Sequence, residues 1–401
     1  MADDIYTLDA LVTGPSTVTI TDDGSGIDTI RVDGLYSATV EITLAWTNDA
    51  GLPTSAAGLY FTPDTVGHRL IVNGVIENAT GSNGRDFIQG NALANLILGD
   101  MFSSGAGLDD TLWGGSGRDT IFGGSGNDEL LGDNDDDQLF GDAGQDNISG
   151  GAGADIIQGG AGADTLSGGA TAGDTLSYEG STAGIQIGLE FGTTTTGSGG
   201  DAAGDRVNGF LNVIGSAFAD RIANLDQGTI AFGQNDNIFW GGAGRDRLIL
   251  GGGNDAGYGG TGDDSILGEV GDDALFGGNN NDALRGSRGQ DTLTGGNGLD
   301  FFVFKTANDS TVSVAQRDTI TDFSVSDGDM IDLSGIDAEA RVPDNQAFHL
   351  VTAFTGAVGE LRVKASGSDV LVLGDINGDG SADFAILVQN VASLNATDFS
   401  L

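Results

Sequence analysis

The stretch GGSGRDTIFGGSGNDELL, residues 114–131, contains one nine-residue unit twice. In each copy two glycines are followed by a third glycine, an aspartate and, two places later, an apolar residue. Six in-phase copies fill residues 114–167, and a second run of seven fills residues 241–303. A fixed period of this kind predicts a stacked repeat architecture and argues against a low-complexity disordered chain.

Each unit is predicted to form one turn and one short strand. The glycines allow positive φ and close backbone approach, and the residues around the apolar position suit a strand. So short a strand cannot bury its apolar residue alone, so the units must stack, with the eighth-position residues (Ile121 and Leu130 in the opening stretch) pointing inward. The predicted fold is all-β: a right-handed parallel β-solenoid, or β-roll, in two blocks.

The composition of the chain points to a cation as its partner. Fifteen basic residues stand against 59 acidic ones, giving a net charge of −44. Such a surface repels phosphate backbones and anionic lipid, so neither nucleic acid nor a membrane surface is expected as a partner. Short carboxylates among glycines suit calcium, a hard cation that prefers oxygen ligands. The chain has no cysteine, which excludes disulfides and thiolate metal sites.

Stacking places aspartates of like turns above one another, about 4.8 Å apart. A divalent ion between turns would offset the repulsion between Asp119, Asp137 and Asp155, for instance, and would make folding depend on metal. The predicted carboxylate ligands are the sixth-position aspartates of all copies: Asp119, Asp128, Asp137, Asp146, Asp155, Asp164, Asp246, Asp255, Asp264, Asp273, Asp282, Asp291 and Asp300. The predicted backbone ligands come from turn glycines: Gly114, Gly115, Gly117, Gly123, Gly124, Gly126, Gly259, Gly260 and Gly262.

Irregular relatives of the unit flank the two runs and add further candidates. Residues 81–89, 105–113 and 231–239 place Asp86, Asp110 and Asp236 at the sixth position.

A separate candidate loop, GDINGDGSAD, covers residues 374–383. Asp375, Asn377 and Asp379 have the spacing of the first three EF-hand ligands, but Ile386 stands where the bidentate glutamate belongs. A metal loop and a plain hairpin turn are both compatible with this sequence.

The unit GGxGxDxUx, with U apolar, resembles the calcium-binding repeat of RTX, or haemolysin-type, proteins. In that family two nonapeptides form one coil, and calcium lies between turns two repeats apart. The resemblance implies about four ions in the first run and five in the second. Asp135 and Asn280 replace the third glycine and Gly257 replaces the apolar residue, so sites beside them depart from the family pattern.

The chain after the repeats, including residues 301–338 and 374–388, resembles the C-terminal domain of serralysin-type metalloproteases. This resemblance implies a β-sandwich-like cap and an uncleaved type I export signal, with Asp398 before the terminal Phe399-Ser400-Leu401. A lead-in module upstream of the rolls occurs twice, at residues 27–88 and 173–222. The predicted domains are an N-terminal β module (1–80), a first β-roll (81–167), a second lead-in module (168–230), a second β-roll (231–303) and the serralysin-like domain with its export signal (304–401).

No catalytic residue and no organic cofactor are predicted. The zinc motif HExxHxxGxxH of serralysins and the GxSxG motif of lipases are both absent, and the chain contains two histidines, His68 and His349. The alternative is a polysaccharide-acting or other extracellular enzyme with its site in the N-terminal or middle module. Residues 46–70, with Asp64 and His68, are the place where such a site is expected.

The sequence therefore predicts a secreted calcium-binding RTX protein, not an enzyme, that folds on meeting extracellular calcium. MADDIYTLDA has no features of a Sec signal peptide, and no apolar run is long enough to cross a bilayer. The expected partners are several calcium ions, the type I secretion apparatus and an extracellular polysaccharide or cell surface. Matrix, surface-layer, adhesion and calcium-sequestration roles all fit this reading.

Overall fold

The computed structural model shows an all-β protein, which confirms the predicted parallel β-roll. It describes residues 79–81, 85–100, 107–169, 173–190, 192–225, 236–338 and 346–401, together with the backbone of seven short strands between residues 5 and 80. Helical structure in the described residues is limited to 3-10 turns at Gly200–Ala202, Val314–Gln316 and Ala396–Asp398. In that part of the chain, no helix has the length and apolar character needed to cross a bilayer.

The chain forms two compact units, of which the first comprises residues 1–181 and 191–212. Its successive strands alternate between two parallel sheets. One sheet contains β1 (Ile5–Asp9), β3 (Thr29–Asp33), β5 (Gly58–Phe61), β7 (Asn78–Thr80), β9 (Leu96–Leu98), β11 (Thr120–Ser125), β13 (Gln138–Ala143), β15 (Ile156–Ala161) and β17 (Thr175–Ser177). The other contains β2 (Ser16–Ile20), β4 (Val40–Leu44), β6 (Arg69–Val72), β8 (Phe87–Gln89), β10 (Thr111–Ser116), β12 (Glu129–Asn134), β14 (Asn147–Ala152), β16 (Thr165–Gly169) and β20 (Arg206–Asn208), with β19 (Thr195–Thr196) antiparallel at its edge.

The second unit comprises residues 182–190 and 213–401 and repeats this alternation. One of its sheets contains β18 (Gln186–Leu189), β22 (Arg221–Asn224), β24 (Arg247–Gly252), β26 (Ser265–Val270), β28 (Ala283–Arg288), β30 (Phe301–Val303), β32 (Met330–Asp332) and β37 (Phe399–Ser400). The other contains β21 (Asn212–Ile214), β23 (Ile238–Ala243), β25 (Ala256–Thr261), β27 (Ala274–Asn279), β29 (Thr292–Asn297) and β31 (Thr319–Ile320). It continues through β36 (Phe384–Val388), β35 (Asp369–Asp375), β34 (Glu360–Ser366) and β33 (His349–Val351), of which β34 to β36 pair antiparallel.

The strand register shows that two nonapeptides make one coil. Thr120 pairs with Gln138 in one sheet, and Glu129 pairs with Asn147 in the other. Both pairs are two nine-residue units apart, as the RTX resemblance implied. The same parallel pairing extends back to β1 and β2 with longer coils, although the sequence there lacks the glycine unit.

The eighth-position residues form the core between the two sheets. Apart from Gly257, the eighth-position side chains of both runs are 1% exposed or less: Ile121, Leu130, Leu139, Ile148, Ile157, Leu166, Leu248, Ile266, Leu275, Leu284, Leu293 and Phe302. Full burial of one such side chain contributes about 1.5–3 kcal/mol, so the ladder is the main apolar driving force of each roll.

A residue swap explains why the roll tolerates Gly257 in that ladder. The same nonapeptide begins with Leu250 where the unit calls for glycine, and Leu250 is fully buried. A Cβ on Gly257 would lie 3.1 Å from Leu250 Cδ1 and 2.8 Å from Ile266 Cγ2. The leucine therefore fills the space that an eighth-position side chain would occupy.

The turns that lack the third glycine keep the left-handed backbone conformation. Asp135 has φ 74° and Asn280 has φ 81°. Asparagine and aspartate enter this region more readily than other residues with a Cβ. Both turns therefore keep the shape that the glycine unit specifies.

We predict that Leu250→Ala lowers the free energy of unfolding of the calcium-loaded protein by about 2–5 kcal/mol, because it leaves a cavity in a fully buried site. The double change Leu250→Gly with Gly257→Leu restores the regular unit and should recover most of that loss. Urea unfolding followed by circular dichroism measures both effects. Leu267→Ala, on the half-buried outer face of β26, is the control and should cost clearly less. A double variant no more stable than Leu250→Ala would contradict the swap.

Candidate metal centre

The sixth-position residues of the first unit line up in two columns. Within a column, the backbone N–H of each residue donates to Oδ1 of the next residue, with N···O distances of 2.6–2.9 Å. Column 1 contains Asp86, Asp110, Asp128, Asp146, Asp164 and Asp205. Column 2 contains Asn95, Asp119, Asp137, Asp155 and Asp174.

The second unit has two columns built in the same way, with N···O distances of 2.7–3.0 Å. Column 3 contains Asp220, Asp246, Asp264, Asp282, Asp300 and Asp329. Column 4 contains Asn237, Asp255, Asp273, Asp291 and Asp318. Each column residue is called a rung. In every rung after the first, one carboxylate oxygen is held by a hydrogen bond from the backbone N–H of the rung before it.

The second carboxylate oxygen is left without a partner in every nonapeptide. All thirteen predicted aspartates are 2% exposed or less, and in each of them Oδ2 is buried with no hydrogen-bond partner. A buried charged oxygen without a partner is costly, because it has lost its water and gained nothing in return. The columns therefore present a row of oxygens that require a cation or a proton.

In twelve of the thirteen nonapeptides the first residue is a glycine, as at Gly114, and it leaves room for this free oxygen; Leu250 begins the other. A Cβ on Gly114 would collide with Asp119 Oδ2 and would lie 2.9 Å from the carbonyl oxygen of Gly132 in the next coil. The carboxylate oxygen and the carbonyl oxygen thus approach the same small space. A Cβ at Gly114 therefore has no room beside the carboxylate oxygen.

Carbonyl oxygens from the second and fourth positions also point from one coil to the next. A Cβ on Gly260 would collide with the carbonyl oxygen of Gly242, and one on Gly262 with that of Gly244. These rows of carbonyls lie in the same turns as the aspartate columns. The predicted backbone ligands, such as Gly260 and Gly262, lie in these turns, and their role as ligands stays a prediction.

Burial raises the pKa of the thirteen nonapeptide aspartates in the metal-free fold. Desolvation is the largest cause, and neighbouring carboxylates add to it; the pKa reaches about 7 for Asp119, about 8 for Asp146 and about 9 for Asp273. Backbone N–H donors at the rungs oppose the rise without cancelling it. Without a cation, the fold therefore favours the protonated form of these carboxyl groups more than the unfolded chain does.

These residues fit calcium. Across the parts of the chain that the structure describes, no three acidic or histidine side chains converge as a ligand cluster. A site in the columns must therefore combine one or two carboxylate oxygens with carbonyl oxygens of the turns. Calcium accepts such mixed sets of six to eight oxygens, whereas zinc prefers nitrogen and sulfur ligands.

The flanking candidates divide into those that join a column and those that do not. Asp86 and Asp110 are rungs of column 1, and Asp110 Oδ2 is also buried without a partner. Asp236 is not a rung: the register is one residue further on, so Asn237 takes the place in column 4. Asp236 is exposed instead, and its side chain accepts the N–H of Asn254 at 2.8 Å.

The loop at residues 374–383 is closed by its own hydrogen bonds. The buried Asp375 carboxylate accepts N–H groups from Gly378 at 2.7 Å and Gly380 at 2.8 Å, and Asn377 Nδ2 donates to Asp383 at 2.7 Å. Asp379 accepts the N–H of Ser381. The three candidates thus lie together in one turn, and metal binding by this loop stays a prediction.

A second ladder, on the exposed side of the turns, was not foreseen from the sequence. Fifth-position side chains accept the N–H of the residue two repeats further on, as Asp109 does from Asn127 and Asp136 from Ala154, both at 3.0 Å. This direction is opposite to that of the buried columns. Acidic residues next to each other in the unit therefore have different environments: Asp136 is exposed and Asp137 buried.

Sequence reasoning also missed the last rungs of all four columns: Asp174, Asp205, Asp318 and Asp329. They lie after the nonapeptide runs, where the spacing of nine is broken. The available signal is the motif DxU, an aspartate two places before a buried apolar residue, as in Asp174 with Leu176 and Asp205 with Val207.

Comparison with known families gives two matches. The family model described as peptidase M10 serralysin C terminal matches residues 201–401. The model described as RTX calcium-binding nonapeptide repeat (4 copies) matches residues 104–139 and 140–172. No curated protein matches the chain.

Among solved structures, the AlgE6R2 subunit of the Azotobacter vinelandii mannuronan C5-epimerase is similar to part of the chain. The identity is 24%, the match covers 47% of this chain and 91% of that one, and the TM-score is 0.22.

We predict that the calcium-free roll becomes less stable as the pH rises from about 4 to 9. The folded-state pKa values lie above the unfolded value of 3.8, so the native state binds more protons than the unfolded state across this range. The destabilisation is absent below pH 4 and complete above the folded pKa. The β content of metal-stripped protein, followed by circular dichroism from pH 4 to pH 9, measures this, and saturating calcium should weaken or reverse the trend. A β content of the metal-free protein that rises with pH would contradict the prediction.

Proposed function

Because the chain belongs to the family of the peptidase M10 serralysin C-terminal domain, we propose that it is a secreted RTX protein whose rolls fold when their columns bind calcium. RTX nonapeptide repeats are calcium-binding. The observation that carries the proposal for individual residues is the row of thirteen buried aspartates, each with Oδ2 lacking a hydrogen-bond partner. The turn carbonyls, including those of the predicted glycines, complete the proposed ligand sets.

The columns explain why folding and calcium binding are coupled. When bound, calcium supplies positive charge and a coordination shell for the free oxygens. Without it, aspartates at strand spacing repel one another, while the glycines favour an open chain. The net charge of −44 adds to the repulsion. The ion-binding geometry exists only when two coils are stacked, so binding energy becomes folding energy.

We expect a calcium titration of the chelated protein to produce β-structure and compaction together, measured by circular dichroism and X-ray scattering, with magnesium as the control. Magnesium binds less well because it requires near-ideal octahedral geometry and dehydrates reluctantly. Equal β content and equal size in chelator and in calcium would refute coupled folding.

The same titration tests one residue of a column. Asp137→Asn should raise the calcium concentration at the folding midpoint severalfold, because it replaces the free Oδ2 by an amide while keeping an oxygen for the rung. Glu129→Gln is the matched control: it removes the same charge at an exposed seventh position. Equal shifts in the two variants would mean that net charge alone, and no site at Asp137, sets the midpoint.

We propose a structural or binding role for the folded protein and no catalytic one. The matched models cover the repeats and the serralysin C-terminal domain, and neither is a protease domain. His349 lies exposed in β33, whereas Asp64, His68 and most of residues 46–70 lie outside the described residues. A polysaccharide or cell surface as partner, and the domain boundaries given above, remain predictions.

We further propose export by a type I apparatus directed by the serralysin-like C-terminal region. Deletion of residues 370–401 should keep the protein inside expressing cells that carry such an apparatus. Undiminished secretion of the deletion variant would contradict this. Immunoblots of cell and medium fractions measure the effect, with Glu129→Gln as a full-length control for export.

A further inference from the structure

The last rungs of columns 1 and 2 lie beyond the final nonapeptide of the first run. Asp174 ends column 2 and Asp205 ends column 1. Asp174 also lies outside the segments matched by the two family models, which end at residue 172 and resume at residue 201. The two end rungs differ in what their second carboxylate oxygen contacts.

Asp174 keeps the geometry of a nonapeptide aspartate. It is fully buried; Oδ1 accepts the N–H of Asp155 at 2.9 Å, and Oδ2 has no partner. A Cβ on Gly168 would lie 2.6 Å from this Oδ2 and would collide with the carbonyl oxygen of Gly209. Within the repeats, Gly150 has the same relation to Asp155 Oδ2 and to the Gly168 carbonyl.

Asp205 has no free oxygen. Its Oδ1 accepts the N–H of Asp164 at 2.9 Å, and its Oδ2 accepts the hydroxyl of Tyr178 at 3.0 Å. The Tyr178 side chain is 1% exposed, and burial raises the pKa of its hydroxyl well above the ordinary value, which keeps the proton on the donor. A neutral protein group therefore takes the place that a cation would occupy.

The second unit shows the same asymmetry with different residues. Asp318 ends column 4, is fully buried and has no partner for Oδ2. Asp329 ends column 3, and its Oδ2 accepts the N–H of Ser324 at 2.7 Å. In each roll, one column therefore ends on a free oxygen and the other on a satisfied one.

We infer that each roll binds one calcium ion beyond its nonapeptides, through Asp174 in the first unit and Asp318 in the second. The opposite columns end without a metal, because Tyr178 and Ser324 hold the second oxygens of Asp205 and Asp329. This inference rests on the proposed calcium binding by the columns and extends it to residues outside the glycine repeats. The mixed donor set at Asp174, one carboxylate oxygen with the Gly209 carbonyl close by, suits calcium.

The test is a count of bound calcium. The full-length protein and its variants are dialysed against the same free calcium concentration, and calcium per chain is measured by inductively coupled plasma mass spectrometry. Asp174→Asn and Asp318→Asn should each lose one ion, and the double variant two. Asparagine keeps an acceptor oxygen for the rung hydrogen bond, so the strand register is retained, and circular dichroism checks this.

Asp205→Asn and Asp329→Asn are the matched controls, since they remove the same charge from the paired end rungs, and they should lose none. A full count in Asp174→Asn, or equal losses in the controls, would overturn the inference. Tyr178→Phe supplies the converse test, because it frees Oδ2 of Asp205 without changing any column residue. It should gain one ion, and an unchanged count would overturn the assignment of Tyr178 as the group that excludes the metal.

The outcomes also separate this inference from the proposed function. If the wild-type protein bound no calcium, the proposed function itself would fail. If it bound calcium and Asp174→Asn kept the full count, only the end-rung assignment would fail.

Discussion

The hydrogen bond from a backbone N–H to Oδ1 of the aspartate one coil further on governs the arrangement of both rolls. It holds the side chain inside the turn, where Asp119 and Asp137 are buried from water. One carboxylate oxygen is thereby satisfied and the other is left free. The hydrogen bond that orders the coil thus also leaves a buried oxygen, which a cation or a proton can stabilise.

The glycine pattern follows from this constraint as much as from the turns themselves. The first glycine makes space for the free oxygen, and the second and fourth positions, with the exception of Gly162, adopt positive φ and bring carbonyls close to the next coil. Asp133 and Asp135 show that a left-handed conformation alone does not require glycine, since both adopt it. At position one, every regular unit has glycine. The one exception, Leu250, lies in the same unit as Gly257, which lacks the core side chain that the eighth position otherwise supplies.

The regular part of this structure could be predicted from sequence because each nine-residue unit contains the buried apolar residue, the turn glycines and the column aspartate at fixed positions. The inward Ile121, the stacked Asp119 and Asp137 and the coil of two repeats all follow from the period. Prediction failed where the period breaks. Asp236, taken from the sixth position of residues 231–239, lies one residue before the rung, because an asparagine, Asn237, holds the column position there. Asp174 and Asp205 were missed because insertions separate them from the last glycine pair, while the coil itself continues.

The ends of columns 1 and 3 show that the second carboxylate oxygen of a column aspartate needs a partner. Asp205 and Asp329 are satisfied by chemically different donors, a tyrosine hydroxyl and a backbone N–H. No residue type is shared between the two solutions, so the common requirement lies in the carboxylate oxygen. Inside the rolls the stacked glycine turns bring carbonyl oxygens towards this atom, and an acceptor cannot satisfy another acceptor. Only a cation or a proton can, whereas at the end of a column the chain leaves the stack and can return a donor. Columns 1 and 3 end on such a donor, whereas the carboxylates inside each roll are left to a cation or a proton.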